Sequence, residues 1–301
     1  MKSNSLYLLW KSRYWLTILS LLLPATSFAQ PTLWQAKRGT QELYLFGSIH
    51  IGSPSLYPLP KPVIKAFNQS SRLWVEVDTR HLSEKSIKKI NQYITLPKGK
   101  QLQDELSPKL LMQLKHNSKP LGLDYNKLQH FYPWYISIMV TQKIYQKMGY
   151  DGKLGVDQFF LRRATHTDKP VSSLESATQQ FKALASLKND QRELLSQALS
   201  TDDAVEKTLN LTVDAWRKGN QKRLASLLNL AKSTNNAAQK HFEYRLLEKR
   251  NRRWLRILSK NTSQHPQFVV VGALHLSGPY GLIHMLRKSG YTVKRIPEAQ
   301  S

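Results

Sequence analysis

Two seven-residue runs from opposite ends of the chain match in character position by position. They are Leu45-Phe46-Gly47-Ser48-Ile49-His50-Ile51 and Val270-Val271-Gly272-Ala273-Leu274-His275-Leu276. Each is a strand-like apolar stretch, a glycine, a small residue, an aliphatic, a histidine and another aliphatic. A Gly/Ser/Pro turn and then a helical pattern follow each one. A bare G-x-x-H is a weak signal, and a third copy, Gly281-Leu282-Ile283-His284, lies inside a helical pattern where His284 reads as a helix-surface or core-edge residue. The first two copies place imidazoles at strand ends, where α/β proteins hold ligands. The alternative is that each histidine only caps its strand and bonds to backbone.

Carboxylates occupy the same kind of position. Glu76 ends the run Leu73-Trp74-Val75-Glu76-Val77, and Glu175 follows Leu174 directly. Ser176-Ala177-Thr178-Gln179 then reads as a capping box opening a helix. Asp157 follows Gly155-Val156 at the start of the helical run of Phe159 and Phe160. Each acid also has a structural explanation: Glu76 alternates with Val75 and Val77 and can face solvent, and Asp157 can be a plain N-cap.

A helical pattern over Ala238–Leu258 adds an arginine. Leu246, Leu247, Trp254 and Ile257 share one side, with Arg250 in the middle of that apolar stripe. Arg245, Lys249, Arg252, Arg253, Arg256 and Lys260 fall on an arc turned away from it. A guanidinium in an apolar stripe needs a carboxylate and hydrogen bonds. Arg250 therefore predicts a buried acid: Glu76, Glu175 or, on its own helix face, Glu243. A pair with Glu243 would only order the helix, whereas a pair with either of the others would place Arg250 in a site.

Two imidazoles with one or two carboxylates form a mixed N/O donor set suited to Mn²⁺, Co²⁺ or Zn²⁺, with His50, His275 and Glu76 as ligands. Such an ion, or a His–Glu pair acting directly, would activate water against a carbonyl, with a glutamate as base and Arg250 facing the developing charge. HExxH is absent, which argues against an ordinary zincin. The chain has no cysteine, so disulfides, a thiol nucleophile and thiolate-bound metals are excluded.

The elements that must position these residues are sparse strands at both ends and helices between. Strand-like runs are Leu43–Phe46, Leu73–Val77, the shorter Lys169–Leu174, Phe268–Val271 and Tyr291–Ile296. Helical spacing covers Leu106–Lys115, Trp134–Lys147, Ala177–Leu187, Ala204–Lys218 and Ala238–Leu258, with a short helix at Val63–Asn68 and another over Pro279–Lys288. The expected fold is α/β: one domain over 30–301, its central mixed sheet built from the N- and C-terminal thirds, with a mostly helical insertion at roughly 80–265.

Residues 1–29 read as a signal peptide. Lys2, Lys11 and Arg13 precede the apolar Tyr14–Leu23, and Ser27 and Ala29 are small residues at cleavage positions. Secretion or a periplasmic location follows. The net charge of +25 over 301 residues suits nucleic acid, anionic lipid or polysaccharide. No RNP, KH or zinc-finger pattern is present, and export removes the cellular nucleic acid.

As an ordered set, these residues resemble the TraB/GumN family, whose animal relatives are the TIKI metalloproteases and which is distantly similar to erythromycin esterases. The marks are Gly47–His50, Glu76 within Trp74–Asp78, Gly155-Val156-Asp157, Leu174-Glu175 with Gln179, Arg250-Asn251 with Trp254, and Gly272–Leu276 with Gly278 and Gly281-Leu282. The resemblance spans Leu33 to Ile296. It implies an α/β fold with both histidines, a glutamate and an arginine lining one site, Asn251 beside them, and peptide cleavage with Mn²⁺ or Co²⁺ in some members. The combined expectation is an exported metal-dependent hydrolase acting on a peptide, amide or ester, without an organic cofactor. The rival is a non-catalytic basic envelope protein that binds anionic lipid, lipopolysaccharide or another polyanion.

Overall fold

The structure, a computed structural model, describes residues 31–200, 202–228, 240 and 243–297. The proposed signal peptide lies outside these residues. Six strands form one mixed sheet: β1 (Leu33–Arg38), β2 (Gln41–Ser48), β3 (Arg72–Val75), β4 (Val171–Ser173), β5 (Gln267–Gly272) and β6 (Thr292–Ile296). Their order across the sheet is β4-β3-β5-β2-β1-β6. The β4, β3, β5 and β2 strands run parallel, while β1 is antiparallel to both β2 and β6. This is the α/β architecture expected, with helices filling the chain between β3 and β5. One edge strand, β4, comes from the middle of the chain, at the short run Lys169–Leu174.

Burial explains the order. Phe268-Val269-Val270-Val271 is an unbroken apolar run and occupies the centre as β5, buried on both faces as parallel strands require. Phe268 and Val270 join Phe46, Phe160 and Trp216 on one face; Val269 and Val271 join Trp254, Leu258 and Leu286 on the other. The β1 strand carries Gln35, Lys37 and Arg38, has no run of apolar alternation, and was not expected from the pattern. Its hairpin to β2 provides the order that its composition lacks: Gly39 adopts φ +57° in the turn, and Leu33 pairs with Phe46 at the far end. Helix limits shift similarly. Ala177–Leu184 is α-helical and then tightens to a 3₁₀ stretch at Ala185–Asp190, while a π-helical turn at Glu243–Glu248 precedes the helix Lys249–Lys260.

The two matching runs lie on neighbouring strands. The β2 and β5 strands pair in parallel with Ser48 opposite Gly272, one residue out of step with the sequence match. Both strands stop before their histidines. The β2 strand ends at Ser48, and His275 lies on the 3₁₀ turn Ala273–Leu276 after β5. Glu76 follows β3 immediately and Glu175 follows β4 by one residue beyond Leu174. Four parallel strands therefore deliver four chemical side chains to one sheet edge, the carboxyl end.

Candidate active site

Glu76 is the hub of this edge. Its Oε1 accepts the Gly272 N–H at 2.8 Å, and its Oε2 accepts from Arg250 Nη2 and from Gln180 Nε2, the latter at 3.3 Å. The Nε2 atoms of His50 and His275 each lie 3.8 Å from Glu76 Oε1. The two imidazoles thus approach the same carboxylate oxygen from different strands.

Arg250 is buried, with 9% of its side chain exposed. It bonds both Glu76 and Glu175. Nε and Nη2 donate to Glu175 Oε1 at 2.9 and 2.7 Å, and Nη1 donates to Leu246 O and His275 Nε2, both at 3.0 Å. With the bond to Glu76, all five guanidinium donors are used. Its carbon also lies 4.6 Å from the Trp254 ring centroid, a cation–π contact. Of the three acids anticipated for it, the two on the sheet edge receive it.

Asn251 determines which nitrogen of His275 carries the proton. Its Nδ2 donates to the carbonyls of His275 and Tyr280, at 3.2 and 2.7 Å. Its Oδ1 is left as the acceptor 2.7 Å from His275 Nδ1. His275 therefore carries its hydrogen on Nδ1, and its Nε2 lone pair faces Arg250 Nη1.

His50 is positioned by Asp157, whose Oδ1 lies 3.3 Å from Nδ1. Gly155 makes this contact sterically feasible. A Cβ at Gly155 would fall 2.6 Å from His50 O, and the next residue, Val156, donates its N–H to Ile49 O at 3.0 Å. The helix Val156–His166 can therefore start against the His50 loop, with Asp157 in its first turn. The structure thus brings His50, Glu76, Asp157, Glu175, Arg250, Asn251 and His275 into one cluster.

Two participants, Arg253 and Gln180, were not among the residues expected at the site. Arg253, expected on the solvated arc, bonds Glu175 Oε2. Its spacing of three from Arg250 was the available signal, because i and i+3 lie side by side on a helix. Gln179 closes the expected capping box with Ser176, and its neighbour Gln180 reaches Glu76. Trp254 stacks at 4.4 Å from the His275 ring as well as under Arg250.

The electrostatics divide the two histidines. Burial drives His275 far below its ordinary 6.5, to about 3, against the pull of Glu76 and with Arg250 and His50 adding to the fall. Desolvation also acts downward on His50. The Asp157 hydrogen bond and charge, with the Glu76 charge, outweigh it and raise His50 to about 9. Solvent over the exposed 60% of the His50 side chain screens part of that pull. Burial acts upward on Glu76, but the positive charge on its histidine and arginine neighbours and the Gly272 N–H bring it down to about 2. For Glu175 burial prevails, and its pKa rises despite Arg250 and Arg253.

The donor set is right in kind for a divalent cation but is largely engaged. Glu76 Oε1 keeps one lone pair and His50 Nε2 faces it. A Cβ on Gly272 would lie 3.3 Å from each of these atoms, so the absent side chain leaves a small cradle beside them. His275 Nε2 is committed to Arg250. Among the described residues no three His, Asp or Glu side chains form a metal-binding group. The set His50–Glu76–His275, as arranged, does not fit a three-donor metal centre.

The chain is similar to known proteins over most of its length. The chain is 27% identical to the uncharacterized protein YbaP of Escherichia coli (strain K12), over 85% of this chain and 97% of that protein. It is 22% identical to a metalloprotease TIKI homolog of Nematostella vectensis, over 89% of this chain and 67% of the relative. It is 24% identical to metalloprotease TIKI1 of Danio rerio, over 89% of this chain and 63% of the relative. No solved structure matches. The family model of the TraB/PrgY/gumN family matches residues 32–295, a span that takes in the first five strands whole, the sixth up to Arg295 and every residue of the cluster, and the chain belongs to that family.

Proposed function

We propose that the protein is an exported hydrolase that cleaves a peptide, amide or ester bond at the His50–Glu76–Arg250 cluster. The observation that carries this reading is Glu76 Oε1, approached by two imidazoles while Arg250 and Gly272 hold the carboxylate in place. An ionised glutamate beside a protonated imidazole is an acid–base pair. Glu76 takes a proton from water as the water oxygen attacks the carbonyl carbon. His50, kept protonated by Asp157, gives its proton to the leaving nitrogen or oxygen as that bond breaks. Glu76 then returns its proton to His50, which resets the pair. Arg250 keeps Glu76 anionic, and Asn251 holds His275 in the tautomer that receives Arg250.

The TIKI relatives are metalloproteases by name, but Mn²⁺, Co²⁺ or Zn²⁺ would find at most two protein donors here, at His50 and Glu76, because His275 Nε2 receives Arg250, and the hydrolysis proposed uses the protein's own side chains. The signal-like N-terminus supports a secreted or periplasmic location, and the positive charge supports an anionic lipid or polysaccharide surface nearby.

The test is hydrolysis of peptide, amide and ester libraries by the mature protein. His50→Ala and Glu76→Gln should each lower turnover by about 10²–10⁴-fold. If His50 is the acid, activity should fall as pH rises towards 9, and Asp157→Asn should move that limb towards 6.5. Turnover unchanged by both site substitutions would remove the reading.

A further inference from the structure

The cluster already contains a fixed cation where a divalent metal would find its third ligand. Asn251 assigns the His275 hydrogen to Nδ1, so only Nε2 offers a lone pair, and that atom lies 3.0 Å from Arg250 Nη1. Glu76 Oε2 accepts from Arg250 and Gln180, and Oε1 accepts from the Gly272 N–H. The donors left are the second lone pair of Glu76 Oε1 and His50 Nε2, the latter only once a metal displaces its proton, with 3.8 Å between the two atoms. Two donors make a weak site for Zn²⁺, Co²⁺ or Mn²⁺, which take three or more protein ligands in stable centres.

We propose that Arg250 and a divalent cation exclude each other at His275: the guanidinium is the resident cation of the centre, and a metal gains its third protein donor only when the guanidinium leaves. One reason is occupancy, since a lone pair receiving an N–H cannot also bind a metal. The other is charge, since a second cation beside a buried guanidinium is repelled through a medium that screens poorly. Arg250 does not move aside freely, because all five of its donors are bonded and it rests on Trp254. Arg253 bonds the outer oxygen of Glu175, so loss of Arg250 would leave Glu76 as the under-compensated anion facing both histidines.

This inference rests on the cluster being the functional centre, but it is read by binding and not by turnover. Failure to find hydrolysis would sink the function proposed above and leave it standing. The experiment titrates metal-free mature protein, ¹⁵N-labelled at histidine, with Zn²⁺, and measures Co²⁺ affinity by calorimetry. In the wild type, His50 Nε2 should move to a metal-bound shift while His275 Nε2 stays, and His275→Gln should change affinity by less than about twofold. Arg250→Met should bind about tenfold tighter or more, and His275→Gln in that background should cancel the gain. Arg250→Lys, which keeps a charge but cannot reach Glu175 and His275 together, provides a milder variant if Arg250→Met does not fold, and should gain part of the affinity. A wild type that binds no metal while either Arg250 variant binds through His275 is the limiting case of exclusion. The proposal is overturned if the wild type binds through His275 Nε2 and loses about tenfold on His275→Gln. It is equally overturned if a folded Arg250 variant gains nothing.

Discussion

Arg250 has no spare donor, so its removal strands several acceptors at once. Arg250→Ala would leave Glu76 and Glu175 buried with one fewer counter-charge and should cost about 3–5 kcal/mol. Arg256 lies exposed on the same helix, and Arg256→Ala should stay within about 0.5 kcal/mol. Arg253→Ala should fall between, at about 1–2 kcal/mol, because it loses one charged hydrogen bond from a side chain 28% exposed. Equal denaturation midpoints for Arg250→Ala and Arg256→Ala would disprove the buried role. The histidines set opposite pH limbs in the metal-free protein. His275 is held well below 6.5, so its contribution is full above 6.5 and is lost as pH falls towards 3. His50 is raised, so its contribution is full below 6.5 and is lost as pH rises through about 9. Thermal stability should therefore peak near neutral pH. His275→Gln should flatten the acid side and Asp157→Asn the alkaline side, and an acid side unaltered by His275→Gln would unseat the assignment.

At the scale of elements, the site depends on close approaches between loops that strand pairing alone does not impose. The helix Val156–His166 meets the His50 loop through Gly155, whose added Cβ would press on the His50 carbonyl carbon at 2.9 Å as well as its oxygen. Backbone cannot yield there as a flexible side chain would. Gly155→Ala should cost about 1–3 kcal/mol and break the His50–Asp157 contact, visible in the His50 NMR titration. Gly152→Ala is the control, since its Cβ would only touch His50 O at 3.8 Å. If the two alanines behave alike, the close-packing argument fails. The capping box at Ser176 works differently, since Ser176 and Gln179 satisfy each other's backbone and so start the helix directly after Glu175.

For the whole molecule, charge and address matter most. Residues 217–260 alone hold 13 Lys and Arg against Glu243 and Glu248, and the helix within that stretch shows Arg252, Arg256 and Lys260 to solvent. The anionic lipid or polysaccharide surface proposed above would be drawn to such a face, and salt would weaken that attraction. Among the described residues no helix is long and apolar enough to cross a membrane. N-terminal sequencing of the protein from its native host should give Gln30 as the first residue, and retention of Met1 would reverse the proposal of export.

Local pattern was enough to read the α/β class, the central strand Phe268–Val271, the capping box at Ser176 and the inward turn of Arg250, because burial writes a period into each segment. The paired runs carrying His50 and His275 pointed to the sheet edge where the candidate cluster forms for the same reason: each continues from a strand with a clear apolar signal. Contacts between segments left no such trace. The β1 strand is ordered by its hairpin partner, Arg253 is turned inward by Glu175, 78 residues away along the chain, and Gln180 reaches Glu76 across 104 residues. The tautomer of His275 and the claim of Arg250 on its lone pair depend on Asn251, Tyr280 and two carboxylates meeting in space. Donor types are written in the sequence, but which lone pairs remain free is decided only when the chain has folded around them.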